Sequence, residues 1–302
     1  MIKRIINGIS ARVKLYVSGF ASMAPKLVFG NAIGVRYNLY PLLELRKLRK
    51  SFPQHSQTIN INDFALSQAN HLTEFGYVKV KQPFNIELLK SIKNKYDSLI
   101  ENDDFSVSSP NGFTRFLLKP ENTIPEIQDL LANEIKEVLF NYYKCSFRIE
   151  SVRAWRNYHV PDYDPNTMDA FSNTFHNDDL PVTGLRVFIL LCDNVTRKTG
   201  AFRFHDKKYS KKIIRSLNYF HRFKLSSESL IMLTNENQLK YFEGNLGDVC
   251  ICNTQECLHA ASIPEKGSFR DILQFEVYPT TGQLLSNKDI FSAVPEDTMI
   301  GK

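Results

Sequence analysis

The chain has 302 residues, 43% of them apolar, 12% aromatic and 23% charged. That composition excludes a disordered or collagen-like chain and suffices for a sizeable core in one large domain or two small ones. No apolar run approaches the ~20 residues that span a bilayer, which excludes a helical integral membrane protein. The formal charge of +6 is unevenly spread: residues 1–50 hold ten basic residues against one acid, Glu44, residues 203–224 hold eight against Asp206, and the rest sums to −10.

Five cysteines stand at 145, 192, 250, 252 and 257, mostly inside apolar runs. An odd count in that setting is no disulfide framework; it points to a reducing compartment, cytoplasmic in the simplest case. The acid-poor first fifty residues, with Arg4, Arg12, Ser10, Ser18 and Ser22, also fit an organelle-targeting or membrane-surface segment, with peripheral membrane contact as the consequence, and equally a basic helix packed on the body. No secretory signal is expected.

In chain order, residues 38–50 end in a basic helix and 51–62 read as a linker, so residues 1–60 form a basic helical extension and 61–302 the main domain. From Asp63 the apolar spacing predicts a helix through Phe75, stopped by Gly76, followed by a strand at 77–81. A second amphipathic helix is expected over 86–100 and a third over 124–143, with Pro125 suited to its first turn. Beyond Lys144 the period becomes two. Strands are predicted at 147–158, 184–191, 200–204, 248–252 and 270–278. Helices first and strands later predict an α+β fold in which N-terminal helices flank an antiparallel barrel or jelly roll. In the last strand Leu273, Phe275 and Val277 alternate with polar Arg270, Gln274 and Glu276, as expected of a sheet with one face on helices and the other on a polar site, and equally of a plain surface strand.

His176 and Asp178 are one residue apart, so on a strand both side chains face the same way. An imidazole and a carboxylate on one face make two thirds of a facial triad for Fe(II); the spacing alone is common. His259, after the turn Gly247-Asp248 and an apolar strand, offers a third ligand. Arg270 opens the last strand on the face of Gln274, where a guanidinium can hold a carboxylate through paired bonds.

These residues resemble the His-x-Asp…His…Arg pattern of the phytanoyl-CoA dioxygenase-like family of Fe(II)- and 2-oxoglutarate-dependent oxygenases. Leu185 to Val195, the turn at Thr199-Gly200, Gly247-Asp248 and the segment Leu72 to Val80 are similar to that family too, so the resemblance covers roughly residues 60–280. It implies a double-stranded β-helix, the cupin-like jelly roll. It further implies His176, Asp178 and His259 as iron ligands and catalytic centre, Arg270 on the distal carboxylate of 2-oxoglutarate, and Arg115 near a second basic contact. O2 is the other co-substrate, succinate and CO2 the by-products, and hydroxylation of a small-molecule or acyl/lipid-type substrate the outcome. Asp178 speaks against a halogenase, whose relatives carry a small residue there. Two positions depart from the pattern: Ala261 stands where many members carry Ser or Thr, and the Pro-Gly-Ser-His turn is missing after Phe204. The alternative function is a catalytically inactive binding or accessory protein on the same barrel.

Plainer readings stand beside these. Cys250, Cys252, Cys257 and His259 have a spacing unlike the common zinc frameworks, and the cysteines read as small core residues. The basic stretch 207–224 reads as an amphipathic helix with Ile213, Ile214, Leu217 and Phe220 inward and its lysines solvated, or as a holder for a phosphorylated or CoA-linked substrate at the barrel mouth; no nucleic-acid signature accompanies it, and no nucleic-acid partner is expected. The loop 162–171 is expected to form part of a cover over the substrate, with a plain surface loop as the alternative.

Overall fold

A computed structural model describes residues 39–51, 62–131, 133–164, 173–178, 180–216, 236–280 and 286–291. Most of the 1–60 extension, the linker, most of the expected covering loop and the second half of the basic stretch lie outside these residues. None of the described helices is long and apolar enough to cross a membrane.

The helices follow the apolar spacing closely. α1 runs Tyr40–Ser51 and α2 Asp63–Phe75. The Asn62 side chain caps α2 by accepting from the Phe64 N–H, and Gly76 ends it in the left-handed region at φ 79°. A Cβ at Gly76 would lie 2.7 Å from Cys257 Sγ, so both backbone and space require glycine there. After β1 (Tyr77–Val80), α3 (Ile86–Ile100) is capped by Asn85 and buries Leu89, Ile92, Tyr96 and Ile100. The short strands β2 (Ser106–Ser108) and β3 (Thr114–Leu117) and the single turn α4 (Pro120–Thr123) follow.

The continuous helix expected over 124–143 is instead two pieces. Pro125–Leu130 is a 3-10 turn, and α5 begins at Asn133 and ends at Tyr143. Ile124, Ile127 and Leu130, all fully buried, are spaced by three, the period of a 3-10 helix. Arg49 of α1 donates to the Tyr143 and Tyr142 carbonyls at 2.7 and 3.0 Å, satisfying the end of α5.

The remaining elements are β4 (Phe147–Tyr158), β5 (Leu185–Leu190), β6 (Phe202–His205), α6 (Lys207–Ser216), β7 (Leu239–Phe242), β8 (Val249–Cys252), β9 (His259–Ala261), β10 (Phe269–Pro279) and α7 (Asn287–Phe291). They form two antiparallel sheets. The larger has the order β1-β8-β5-β10-β4-β3-β2 and the smaller β7-β6-β9. A backbone bridge between His176 and His259 adds the metal-motif segment beside β9.

The main core joins one face of the large sheet to the helices: Leu273, Phe275 and Val277 pack with Leu89, Ile92, Tyr96 and Tyr143. The other face of β10, carrying Arg270 and Gln274, lines a cavity together with residues of the smaller sheet. Gly247, at φ 85°, makes the turn into β8, and a Cβ there would meet Leu89 Cδ1 at 2.4 Å. All five cysteines are free, and four are buried. α6 turns Ile213 and Ile214 inward, while three of its four lysines are tied to the body: Lys207 and Lys211 pair with Glu256, and Lys208 with Glu74.

Candidate metal centre

His176, Asp178 and His259 come together, with one ligand atom from each lying within 4.8 Å of the others. Two backbone bonds of 3.0 Å join His176 and His259, each N–H donating to the other's carbonyl, and the Asp178 N–H donates to the Thr254 carbonyl at 3.1 Å. The one-residue spacing then aims His176 and Asp178 at His259. Asp178 Oδ1 stands 3.7 Å from His176 Nε2 and 3.5 Å from His259 Nε2.

Each imidazole is oriented through its other nitrogen. His176 Nδ1 donates to the Thr174 carbonyl at 2.8 Å and His259 Nδ1 to the Cys257 carbonyl at 3.0 Å, because a carbonyl only accepts. The Nε2 lone pairs therefore point at the centre, as a cation requires. Asp178 Oδ2 accepts from the Thr254 hydroxyl at 2.6 Å and faces Arg186 Nε at 3.4 Å, which turns Oδ1 toward the imidazoles. Burial alone would raise the Asp178 pKa, but its neighbours, the Arg186 guanidinium and the Thr254 hydroxyl bond among them, hold it well below the usual carboxylate range. Burial, and then His259, push His176 from 6.5 down to about 4. Two neutral imidazoles and one carboxylate form the donor set of a facial triad. Among the described residues the cysteines take no part; Cys250, Cys252 and Cys257 are core.

The depressed His176 pKa predicts a pH dependence after metal removal. Between about pH 6.5 and about pH 4 the unfolded chain carries a proton on this residue that the fold does not, so folding stability falls as pH drops through that window. His176→Ala is expected to flatten this slope, read from denaturant midpoints of chelator-treated protein at each pH.

The cavity at the centre has a volume of about 380 Å³. Arg270 lines it, 3% exposed, and donates to the Gly200 carbonyl, while its Nε has no partner among the described residues. Burial pushes its pKa down to about 10. Two further buried donors on the same cavity also lack partners, Asn157 Nδ2 and Gln274 Nε2. Orphaned donors on one surface are costly unless an acceptor-rich ligand binds there. The residues present thus fit a carboxylate-bearing co-substrate beside a metal.

Arg115 is not brought to this group. Strand alternation puts its neighbours Thr114 and Phe116 on the cavity and turns Arg115 outward, where it bonds Ser106 and Asp103. Sequence reasoning missed Thr254, Arg186 and Asn157. Asn157 carried a signal, the two-residue period of β4 shared with Trp155, whereas Thr254 follows the end of β8 in a segment with no pattern.

No protein-family model matches the chain. No curated protein matches it either. Among solved structures, the epimerase SnoN in complex with Fe3+, alpha ketoglutarate and nogalamycin RO is similar at a TM-score of 0.53 and 13% identity, over 79% of this chain and 94% of SnoN. EctD from S. alaskensis, with 2-oxoglutarate and 5-hydroxyectoine, gives 0.52 and 15% over 76% and 82%. The non-heme alpha ketoglutarate dependent carbocyclase SnoK gives 0.50 and 11% over 78% and 93%. The chain shares their fold. The likeness is one of fold, two antiparallel sheets with flanking helices.

Proposed function

We propose that this protein is an Fe(II)- and 2-oxoglutarate-dependent dioxygenase of the phytanoyl-CoA dioxygenase-like family, its two sheets closing into a double-stranded β-helix, and that it hydroxylates a small molecule. The observation that carries this reading is the pairing of an aligned His-Asp-His group with a buried, half-satisfied Arg270 on the same cavity.

His176, Asp178 and His259 would hold the metal, and Arg270 Nε would donate to the distal carboxylate of 2-oxoglutarate. The metal would supply the activation of O2 coupled to oxidative decarboxylation of 2-oxoglutarate to succinate and CO2. Thr254 and Arg186 keep Asp178 turned, and the two carbonyl bonds keep both imidazoles in the ligating tautomer, so the ligands need little rearrangement when a metal arrives. Phe188 and Phe202, in contact with each other at 4.7 Å between ring centroids, form an apolar wall that keeps water from the site.

The neighbours' names span epimerisation and ring closure as well as a hydroxylated product, and the mass of the product separates these for this chain: one oxygen atom gained for hydroxylation, none for epimerisation, two hydrogens lost for ring closure. The first test is anaerobic. Fe(II) with 2-oxoglutarate is expected to give a visible charge-transfer band that His176→Ala abolishes, followed by succinate formation in air. Absence of both band and succinate would overturn the reading. A binding protein without turnover is the second reading, favoured by Ala261, which leaves the cavity without the hydroxyl many family members place there.

A further inference from the structure

We propose that the substrate is a small organic anion with an apolar body, and that Arg153 binds its anionic group. This rests on the oxygenase reading and names the substrate class for it.

Strand alternation sets Arg153, Trp155 and Asn157 on the cavity face of β4, and all three line the cavity. In the β4–β10 register Asn157 is opposite Arg270, and Arg153 is opposite Gln274. Four residues along a strand correspond to ~13 Å. The two guanidiniums therefore rise from opposite ends of the cavity floor and serve two anionic groups rather than one.

The other arginines nearby are committed. Arg186 bonds Glu276 and faces Asp178. Arg156, on the reverse face, bonds Asp271, Glu101 and Asp97. Arg153 is exposed where it meets the cavity and makes no hydrogen bond or ion pair with any described residue, so its guanidinium is open to a ligand that enters there. An open guanidinium on the wall of a ligand cavity is a ready partner for an anionic group, which it can hold through paired bonds. The charges agree. Arg153, Arg186 and Arg270 stand against Asp178 and Glu276, a surplus of one positive charge that a divalent metal with dianionic 2-oxoglutarate leaves unchanged.

The rest of the recognition is apolar. Trp155 and Phe116, 6.5 Å apart between ring centroids, flank Arg153 on one side, and Phe188 and Phe202 stand on the other. A cavity of about 380 Å³ must take co-substrate and substrate together, so the part of the substrate that enters is small.

Trp155 is the chain's single tryptophan, so its fluorescence reports this cavity. Anaerobic protein with Fe(II) and 2-oxoglutarate is titrated with phenylacetate, phenyl phosphate and phenylacetamide. At least one anion is expected to quench saturably at about tenfold lower concentration than the neutral amide, and which anion does so distinguishes a carboxylate from a phosphate. Arg153→Gln is expected to erase that preference and Arg153→Lys to retain part of it, with melting temperatures verifying the fold and Arg153→Met standing in if the Gln variant melts early. Equal response to amide and anions, no saturable response to either anion, or a preference that survives in the Gln or Met variant overturns the proposal. The charge-transfer band, read in the same wild-type samples, separates the two ideas. Anion preference without the band leaves the anion site standing and the oxygenase reading overturned; the band without the preference does the reverse.

Discussion

Asp178→Asn is expected to abolish metal-dependent succinate formation and to weaken metal affinity by more than the ~100-fold that marks the loss of an outer-shell partner. The reason goes beyond the lost charge. The Thr254 hydroxyl, 2.6 Å from Oδ2, and the Arg186 guanidinium are both donors, so they select the amide oxygen for the Oδ2 place. The amide NH2 then occupies the Oδ1 place, 3.5 to 3.7 Å from the two Nε2 atoms, and donates into the lone pairs a metal needs. Arg186 keeps Glu276 as its partner, so the fold should survive. Metal titration, succinate assay and thermal melting on the same protein check this; an Asn variant that binds Fe(II) within tenfold of wild type contradicts the assigned centre.

Arg156→Met is expected to cost about 3–5 kcal/mol of folding stability, the range for leaving one partner of a buried ion pair uncompensated. Arg156 holds Asp271 through two bonds, Nε to Oδ1 at 2.7 Å and Nη2 to Oδ2 at 2.8 Å. Asp271 is fully buried, and its remaining cation, Lys93, is 3.6 Å away. Burial raises the Asp271 pKa even with Arg156 in place, so without that arginine the residue must be carried neutral or at high cost. The double variant Arg156→Met with Asp271→Leu is expected to regain much of the loss. Denaturant midpoints decide the matter, and a single variant within 1 kcal/mol of wild type would show that the pair is dispensable.

Much of the frame was legible in the sequence because its signals are local. The spacing of Leu89, Ile92, Tyr96 and Ile100 bounds α3 at both ends, and Asn62 and Gly76 punctuate α2. The alternation in β10 correctly separates core from cavity: Leu273 and Phe275 are fully buried against helices, whereas Arg270 and Gln274 line the site. What stayed hidden depends on long-range pairing. β2, β3, β7 and β9 are three or four residues long, too short to establish a period. The break before α5 is a choice between two helix types that share apolar spacing. At the candidate metal centre, residue identity and spacing pointed to His176, Asp178 and His259, which the fold brings together. Thr254 comes within reach of Asp178 only because residues 76 apart meet. Arg115 illustrates the converse: a basic residue at a plausible place in the chain stands one position out of phase with the strand face that counts.

The β4–β10 pair has a further consequence for how such a protein can diverge. Residues of one parity (Ala154, Arg156, Asp271, Leu273) belong to the core and the buried ion pair, and on the other face Arg153, Trp155, Asn157, Arg270 and Gln274 line the cavity, with Ile272 packed between them. Substitutions in the second set leave the first untouched. What the cavity admits can therefore change by rewriting Arg153 and Trp155 on one strand, while Arg270, the buried ion pair behind the sheet and the His-Asp-His group stay as they are.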